Sequence, residues 1–409
     1  MKIGIIGAGI SGLSAGRLLG AAHEVVVFER DSTIGGIAKV KMVDGIPYHM
    51  VGGHCLNSKN PKVMDFVHEI LQKENWHTIK RIAKISFRKH LIDYPIEFSI
   101  SQIAQLDEDL AYRMSRDFLA SSDRVAKNLD DWFRIKFGDA LAEEYFIPYN
   151  TKIWGRAPSE MSPSWVEGKL PTPNKKQFFK SLIGSEKDTM PHSVFNYPNN
   201  NTPNQFIEAL GQGLNVMLNY DVLRLERLGS KWLINGEITV DALISTMPLN
   251  IIPFIIANVP EEIKNAAKLL KYNKISNMLW ETDEVEATWT YYPEASTLFH
   301  RHIHIGNFLM PKSNHTITEV LGDRSRELME SEGAKIDYLR KPIDHHVSDH
   351  AYVVFDHNYA QSVKIVKDYL GSLDIHTLGR FGEWEYYNMD ICIESAMKVA
   401  AKFDVSAET

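Results

Sequence analysis

The first thirty residues constrain the fold of this chain more than any other segment. Residues 2–7 form a short apolar run that ends in glycine, which is typical of a buried parallel strand. The GxGxxG pattern GAGISG occupies residues 7–12, and helical periodicity follows over residues 12–22. A second apolar run, residues 24–28, ends at Glu29, which lies 20 residues after the second glycine. This order predicts a βαβ unit that binds a dinucleotide, because it places a strand, a glycine turn, a helix, a second strand and an acid in sequence.

Each residue of the glycine pattern has a distinct physical role. Gly7 allows a tight turn, and Gly9 lets the backbone approach a pyrophosphate. Gly12 lets the helix pack close to the strand. Ile10 and Ser11 open the helix, whose free N–H groups can bind the phosphates. These five residues are therefore candidate cofactor-binding positions.

The acid and the residues after it indicate which dinucleotide is bound. Glu29 can accept hydrogen bonds from a ribose diol and would repel the 2′-phosphate of NADP. Arg30 follows it, and Gly35-Gly36 comes next. This segment resembles the ERxxxxGG continuation of the glutathione-reductase-like flavoproteins, a group that includes amine oxidases and protoporphyrinogen oxidase. The resemblance implies FAD, held in an extended conformation against Glu29, Arg30, Gly35 and Gly36.

Composition excludes several other classes of protein. A chain of 409 residues is too long for one core, so two or three domains are expected. The net charge of -7 shows no basic excess of the kind that nucleic-acid partners require. Cys55 and Cys392 cannot build a disulfide framework, which fits a reducing cytoplasm. No apolar run reaches the roughly 18–20 residues that span a bilayer, so membrane insertion is not expected.

The rest of the chain predicts an α/β protein in which a Rossmann-type FAD-binding domain carries a helical insertion and an antiparallel sheet insertion. Residues 216–228 and 231–244 read as two strands, and residues 375–401 read as strand, turn and helix. The predicted FAD-binding domain has three pieces, residues 1–84, 187–250 and 350–409. The predicted insertions are a hairpin at 85–97, a helical domain at 98–186 and a sheet domain at 251–349.

Several segments outside the βαβ unit resemble the UDP-galactopyranose mutases. The two most specific are YNTKIWG at residues 149–155 and GRFGEWEYYNMD at residues 379–390. Three others are VGGH at residues 51–54, WTYYPE at 289–294 with Arg301, and AYVV at 351–354. The resemblance covers most of the chain.

This resemblance implies a reaction without net redox change. Such mutases interconvert the pyranose and furanose forms of a UDP-sugar, here expected to be UDP-galactose, and feed cell-surface polysaccharide synthesis. N5 of the reduced flavin, FADH-, attacks the anomeric carbon and displaces UDP, so the nucleophile belongs to the cofactor. The expected partners are the nucleotide sugar and an unidentified reductant for the flavin. The sequence leaves a homodimer open.

The resemblance also assigns substrate-binding residues. Arg301 would clamp the diphosphate, because a guanidinium suits paired phosphate oxygens. The remaining assignments are diphosphate donors Tyr352 and Tyr387, uracil neighbours Phe146 and Tyr149, and sugar-pocket residues Trp154 and Trp289. Tyr291 is a further candidate for substrate binding.

A second group of residues is implied to contact the flavin. His54, preceded by Gly53, would lie beside it and assist proton transfer. Arg380 would lie near the isoalloxazine and favour the anionic reduced form. Asn388 and Met389 belong to the same closing turn. The expected catalytic residues are therefore His54, Arg301 and Arg380.

The chain departs from the mutases at several positions. Lys169, before Leu170, stands where the mutases have a second arginine for the diphosphate, and it lacks the bidentate fork. Asn57 replaces a second histidine, Trp384 replaces a tyrosine, and Asn388 replaces an aspartate of many bacterial mutases. These changes surround the substrate, so they bear on the identity of the sugar.

Three alternative interpretations remain. The chain could be an oxidase or dehydrogenase of the amine oxidase and protoporphyrinogen oxidase type, which shares the Rossmann unit. It could be a non-catalytic escort protein of the same fold, although the intact GxGxxG argues against this. His300, His302 and His304 alternate along a strand, on the face opposite Arg301, and could suggest a metal. No carboxylate or cysteine is placed nearby in sequence to complete a coordination shell, so no metal is expected.

Overall fold

A computed structural model of the protein describes residues 1–121, 124–166, 170, 172–184 and 193–404. Within these ranges no helix is long and apolar enough to cross a membrane. The strands, in chain order, are β1 (Lys2–Ile6), β2 (Glu24–Phe28), β3 (Val40–Val43), β4 (Ile46–His49), β5 (Trp76–Lys80), β6 (Ala83–Phe87), β7 (His90–Asp93), β8 (Val194–Pro198), β9 (Asn215–Met217), β10 (Leu225–Leu228), β11 (Lys231–Ile234), β12 (Ile238–Val240), β13 (Ala242–Ser245), β14 (Tyr272–Thr282), β15 (Trp289–Tyr291), β16 (Arg301–Ile303), β17 (His315–Leu321), β18 (Leu339–Val353) and β19 (Ile375–Thr377).

The helices lie between these strands, and several of them fall within residues 98–186, the predicted helical insertion. In chain order they are α1 (Ile10–Leu19), α2 (Pro61–Ile70), α3 (Ile100–Ala104), α4 (Glu108–Ala120), α5 (Leu129–Phe137), α6 (Asp139–Leu141), α7 (Ile147–Trp154), α8 (Lys175–Leu182), α9 (Asn204–Gly211), α10 (Glu261–Leu269), α11 (Arg326–Gly333), α12 (Tyr359–Ser372), α13 (Gly379–Gly382) and α14 (Met389–Asp404).

A parallel sheet of five strands, in the order β19-β13-β1-β2-β9, forms the dinucleotide-binding part. β1 is buried at its centre because residues 3–6 are apolar or glycine and have neighbours on both sides. Helices α1 and α14 pack together over this sheet. The sheet therefore combines strands from the start, the middle and the end of the chain, as a discontinuous domain requires.

The second large sheet contains seven strands in the order β18-β14-β17-β16-β15-β6-β7. All of its neighbouring strands pair antiparallel except β15 and β6, which pair parallel. Strands β6 and β7 form a hairpin from a much earlier part of the chain, which joins the sheet at its β15 edge. The hairpin of β6 and β7 spans residues 83–93. The α/β fold class with an antiparallel insertion is confirmed. The five boundaries between the six predicted segments stay predictions, and β18 crosses the one placed between residues 349 and 350.

Residues 216–244 differ from the prediction of two long strands. They contain parts of β9 and β13 and all of β10–β12, of which β10, β11 and β12 form a separate small antiparallel sheet. Turns interrupt the apolar pattern at Asn219 and Asn235, both of which adopt positive φ. Asparagine tolerates this conformation through its short polar side chain.

The helical insertion places its aromatic residues through a local irregularity. Helix α6 continues into α7 through a π-helical turn over Ala142–Phe146. Pro148 lies in the first turn of α7, and proline cannot donate the i→i−4 hydrogen bond. The π-helical turn just before Pro148 accommodates the hydrogen bond that this proline cannot make. Helix α7 then presents Tyr149 and Trp154 toward the sheet.

Candidate functional site

The first glycine turn has no room for side chains. Gly7 has φ +97°, and a Cβ there would lie 2.1 Å from Oγ1 of Thr246. A Cβ on Gly12 would lie 1.9 Å from the carbonyl oxygen of Gly7. Strand β1 can therefore turn directly into α1, as the GxGxxG pattern predicts. Gly12 contributes through this close packing and does not line the adjacent cavity.

A second glycine turn lies directly against the first. Gly9 pairs with Gly35, and a Cβ on Gly36 would lie 3.1 Å from the Cα of Gly9. The carboxylate of Glu29 accepts hydrogen bonds from the backbone N–H groups of Ala8, at 2.7 Å, and of Asp31, at 2.9 Å. Glu29 thus ties the first glycine turn to the end of β2, where a dinucleotide ribose would contact it.

A cavity of about 850 Å³ begins at these turns and extends to the antiparallel sheet. One end is walled by backbone and the other by aromatic and cationic side chains. This shape suits an extended dinucleotide that ends in an aromatic ring system, so the residues present fit FAD. The predicted cofactor residues that line it are Gly7, Gly9, Ile10, Ser11, Glu29, Arg30, Gly35, Gly36, Gly53, His54, Arg380, Asn388 and Met389.

His54 lines this cavity as a neutral imidazole. Burial, and then the positive charge of Arg380, lower the pKa of His54 to about 4. Its backbone N–H donates to Nδ1 of His49, at 3.0 Å, which fixes the segment. Its Nε2 is buried without a hydrogen-bond partner in the protein. This atom is therefore available to a bound group.

Arg301 stands where the cavity meets the antiparallel sheet. One Nη atom donates to Oε1 of Glu319 and, at 2.7 Å, to the hydroxyl of Tyr352. Glu319 also contacts Nε2 of His300 at 2.9 Å and is fully buried. Burial raises the pKa of Glu319, but Arg301 and His300 outweigh it and lower the value to about 2. Arg301 is thus held by a permanent anion, while its Nε remains buried and unpartnered.

Gly52 leaves open the space in front of this arginine. It has φ +67°, and a Cβ there would lie 3.3 Å from Nη2 of Arg301 and 3.5 Å from the Tyr352 hydroxyl. A side chain at this position would occupy the approach to both donors. The first glycine of VGGH is therefore required by geometry as well as by backbone conformation.

A smaller cavity of about 180 Å³ adjoins the first at Arg301. The two cavities share four residues, which are Tyr291, Arg301, Tyr352 and Tyr386. The smaller one is otherwise walled mainly by aromatic side chains of the helical insertion. Its predicted lining residues are Phe146, Tyr149 and Trp154, and Leu170 also lines it. Lys169, the predicted second clamp, lies outside the described residues.

The structure separates two tryptophans that were predicted to line one sugar pocket. Trp154 lines the smaller cavity with Tyr149, whereas Trp289 lines the larger one beside Gly53. Trp154 meets the edge of Tyr352, with ring centres 6.2 Å apart. The two indoles therefore face different parts of any ligand that spans both cavities.

Tyr386, which the sequence did not single out, lies beside Tyr352, one of the residues predicted to bind the diphosphate together with Tyr387. Its ring stacks on that of Tyr352, with centres 5.7 Å apart, and it lines both cavities. Tyr387 lines the larger cavity only, and the charges nearest to it are Glu383 and Glu385. Neighbouring residues in a turn point in different directions. The sequence motif alone therefore does not tell which of the two adjacent tyrosines faces Tyr352.

Arg380 lies over the rings of these tyrosines. Its guanidinium carbon is 4.7 Å from the centre of the Tyr386 ring and 5.0 Å from that of Tyr352. One Nη atom donates to the carbonyl oxygen of Ala351 at 2.7 Å, and its Nε is buried without a partner. It therefore faces the larger cavity as a cation with an unused donor.

Sequence reasoning missed two further ionisable residues that line these cavities. Glu97, which is 2% exposed, lines the smaller cavity, and burial raises its pKa to about 8. Arg81 lines the larger cavity and donates to the hydroxyl of Tyr291 at 2.8 Å. Glu97 directly follows the three residues YPI, and Arg81 lies two residues before β6. For Glu97, a single charge within an otherwise apolar segment was the available signal.

The histidine alternation near Arg301 has a structural explanation. His302 and His304 contact the hydroxyls of Tyr338 and Thr290 inside the sheet. His300 was predicted on the face opposite Arg301, but it contacts Glu319 on the same face, because β16 begins only at Arg301. Among the described residues no group of three or more His, Cys, Asp or Glu side chains is placed to hold a metal ion.

Known proteins share both the dinucleotide-binding segment and the whole fold. A family model described as an NAD(P)-binding Rossmann-like domain matches residues 5–70. A crystal structure of reduced UDP-galactopyranose mutase superposes with a TM-score of 0.85 at 20% identity, covering 98% of this chain and 94% of that one. The predicted resemblance is confirmed. At this identity, the likeness to that mutase establishes the fold alone.

Curated relatives match over shorter segments. The chain is 26% identical to the UDP-galactopyranose mutase of Mycoplasma pneumoniae over 172 residues, which are 39% of this chain and 42% of that protein. It is 27% identical to the dTDP-fucopyranose mutase of Escherichia coli over 213 residues, which are 48% of this chain and 55% of that protein. The matches thus span about half or less of these relatives, which act on different nucleotide sugars.

Proposed function

We propose that the protein is an FAD-dependent mutase that interconverts the pyranose and furanose forms of a nucleotide-linked sugar. The observation that carries the proposal is the junction of two cavities at Arg301, Tyr352 and Tyr386. A nucleotide sugar has a base and a sugar on either side of a diphosphate. The junction supplies a guanidinium and two phenolic hydroxyls at the point where such a diphosphate would lie.

The smaller cavity would bind the nucleobase. Tyr149 and Trp154 give it aromatic walls, and stacking on such rings suits any planar base. Glu97 lies in the same cavity as a largely protonated carboxyl group at neutral pH, since its pKa is raised to about 8. A neutral carboxyl group both donates and accepts a hydrogen bond, as the imide edge of uracil requires.

The diphosphate would bind Arg301, which Glu319 holds in place. A leaving diphosphate gains negative charge as its bond to the sugar breaks, so donors fixed beforehand stabilise the transition state. The unused Nε of Arg301 is available for this, and the hydroxyls of Tyr352 and Tyr386 lie at the same junction. Gly52 keeps the approach open.

The sugar would lie in the larger cavity, between His54, Trp289 and the bound cofactor. Reduced FAD would supply the nucleophile for the anomeric carbon. His54 is neutral at pH 7, so its free Nε2 can accept a proton or a hydrogen bond there. Arg380 contributes a cation at the cofactor end of the cavity, and Trp289 excludes water from the sugar.

The first experiment measures turnover with defined flavin states. The purified protein is expected to be yellow, and after reduction with dithionite under anaerobic conditions it should convert UDP-galactofuranose to UDP-galactopyranose, followed by HPLC. The oxidised protein is the control and should not interconvert the two sugar forms in either direction. A flavoprotein that oxidises a substrate instead, with hydrogen peroxide or a reduced acceptor as product, would contradict the proposal and favour an oxidase or dehydrogenase.

A matched pair of variants tests the placement of the site. Tyr386→Phe removes a hydroxyl at the junction, and Tyr387→Phe removes one from its neighbour. We expect Tyr386→Phe to raise the Kd for UDP about tenfold, which is the value of one charge-assisted hydrogen bond, and Tyr387→Phe to change it less than twofold. The reverse order would return the assignment to Tyr387.

A further inference from the structure

Arg81 is a cation on the wall of the larger cavity that no carboxylate balances within the described residues. The groups that act on its charge are the phenols of Tyr291 and Tyr94 and the thiol of Cys55. Its guanidinium carbon lies 5.0 Å from the centre of the Trp289 ring and 5.9 Å from that of Tyr94. One Nη atom donates to Tyr291, but Nε is buried without a partner.

The other arginine that lines the cavity near the sheet is differently arranged. Arg301 contacts the fully buried carboxylate of Glu319. A guanidinium has five N–H donors and keeps its charge at any ordinary pH, so removing it from water is costly without an anion. Arg81 therefore has both the charge and the unused donors to bind an anionic group from outside the protein.

The position of Arg81 identifies which part of a ligand it would contact. Tyr291 pairs directly with Arg301 across β15 and β16, so their side chains lie on one face of the sheet, and Arg81 contacts the far end of Tyr291. Trp289, which Arg81 covers, lies 3.3 Å from where a Cβ on Gly53 would stand. Arg81 lines the larger cavity but not the smaller one. It thus lies beyond the diphosphate, on the sugar side.

We propose that Arg81 binds a carboxylate on the sugar, so that the preferred substrate is a nucleotide-linked uronic acid. This inference rests on the proposed function of the same site. In a uronic acid the carboxylate replaces the hydroxymethyl group at carbon 6. The anomeric carbon and the hydroxyls that close either ring are unchanged, so the reaction chemistry is the same. A planar carboxylate also matches the guanidinium fork of Arg81.

The test compares ligands that differ only at carbon 6. Binding of UDP, UDP-galactose and UDP-galacturonate to the flavin-loaded protein is followed by the change in flavin absorbance. We expect the wild type to bind UDP-galacturonate at least tenfold more tightly than UDP-galactose. Arg81→Gln should abolish this preference while changing the Kd of UDP less than twofold, and Arg81→Lys should keep part of it. Arg116→Gln, at an exposed arginine of α4, is the matched control and should leave both unchanged.

Each contrary result has a distinct meaning. Equal affinities for the two sugars in the wild type would overturn the inference without the need for any variant, as would a preference that survives in Arg81→Gln. If Arg81→Gln instead shifts the reduction potential of the flavin and leaves the sugar preference intact, the anion is the cofactor and the inference fails. If UDP itself does not bind to the yellow protein, the proposed function fails, and the inference fails with it.

Discussion

The ion pair of Arg301 and Glu319 allows a quantitative prediction from the structure. Glu319 is fully buried, and its pKa is lowered to about 2 from an ordinary value of 4.5. A difference of this size corresponds to about 3 kcal/mol of folding free energy at neutral pH. Because a lowered carboxyl pKa stabilises the folded state only above the unfolded value, this contribution should disappear as the pH falls from about 4.5 toward 2.

A double-mutant cycle tests this value. Arg301→Met leaves a buried carboxylate whose neighbours are the neutral groups His300 and the Tyr352 hydroxyl. Glu319→Gln leaves a buried guanidinium without its anion. Each should lower the free energy of unfolding by about 3–5 kcal/mol at pH 7. The double variant should cost at least about 2 kcal/mol less than the two single changes together, since neither charge then remains alone. Urea unfolding of the flavin-loaded protein, followed by tryptophan fluorescence, measures all four proteins.

An exposed ion pair at the edge of the same sheet provides the control. Arg340 and Asp283 also form an ion pair, but their side chains are 58% and 50% exposed. The same cycle with Arg340→Met and Asp283→Asn should give much smaller changes than the buried pair, because water screens the two exposed charges. The reasoning would be refuted if the Arg301 and Glu319 changes were as small as these, or if the double variant cost the full sum of the single changes.

Three further predictions follow from the same geometry. Because the pKa of Glu97 is raised to about 8, wild-type stability should fall by as much as about 5 kcal/mol between pH 4.5 and pH 8, and urea unfolding of Glu97→Gln should show much less of this loss. Gly12→Ala should abolish flavin retention after gel filtration, whereas Gly236→Ala, with positive φ but nothing within 4 Å of its Cβ, should retain the flavin and lose only about 1 kcal/mol. Because burial lowers the pKa of His54 to about 4, the pH profile of UDP binding should be the same between pH 5 and 8 in the wild type and in His54→Gln; a titration near 6.5 present only in the wild type would contradict this.

The dinucleotide-binding end could be predicted in detail because its requirements are local. A turn that needs positive φ at Gly7 and no Cβ at Gly12 leaves a signature within six residues of sequence. Glu29 follows at the distance set by one helix and one strand. Each of these constraints can be satisfied by only one or two residue types, so the pattern identifies the structure.

The other end of the site was less predictable because residues far apart in sequence create it. Glu319 meets Arg301 only through the register of β16 with β17, and Arg81 meets Tyr291 across 210 residues. No residue near Arg301 in the sequence indicates that Glu319 is its ion-pair partner. Likewise, Tyr386 and Tyr387 differ by one position, and only the turn after α13 determines which of them faces Arg301.

The charges around the two cavities suggest how one scaffold could serve different sugars. Arg301 is neutralised inside the protein by Glu319, so a diphosphate would bind to a pre-positioned donor whose charge is already balanced. Arg81 lacks such a partner among the described residues. Its contribution to the binding free energy of a nucleotide sugar would therefore depend strongly on whether the sugar carries an anion. A change at Arg301 should therefore weaken every nucleotide sugar alike, whereas a change at Arg81 should alter the choice between sugars. This separation predicts that the affinity for UDP and the discrimination at carbon 6 vary independently among variants of this chain.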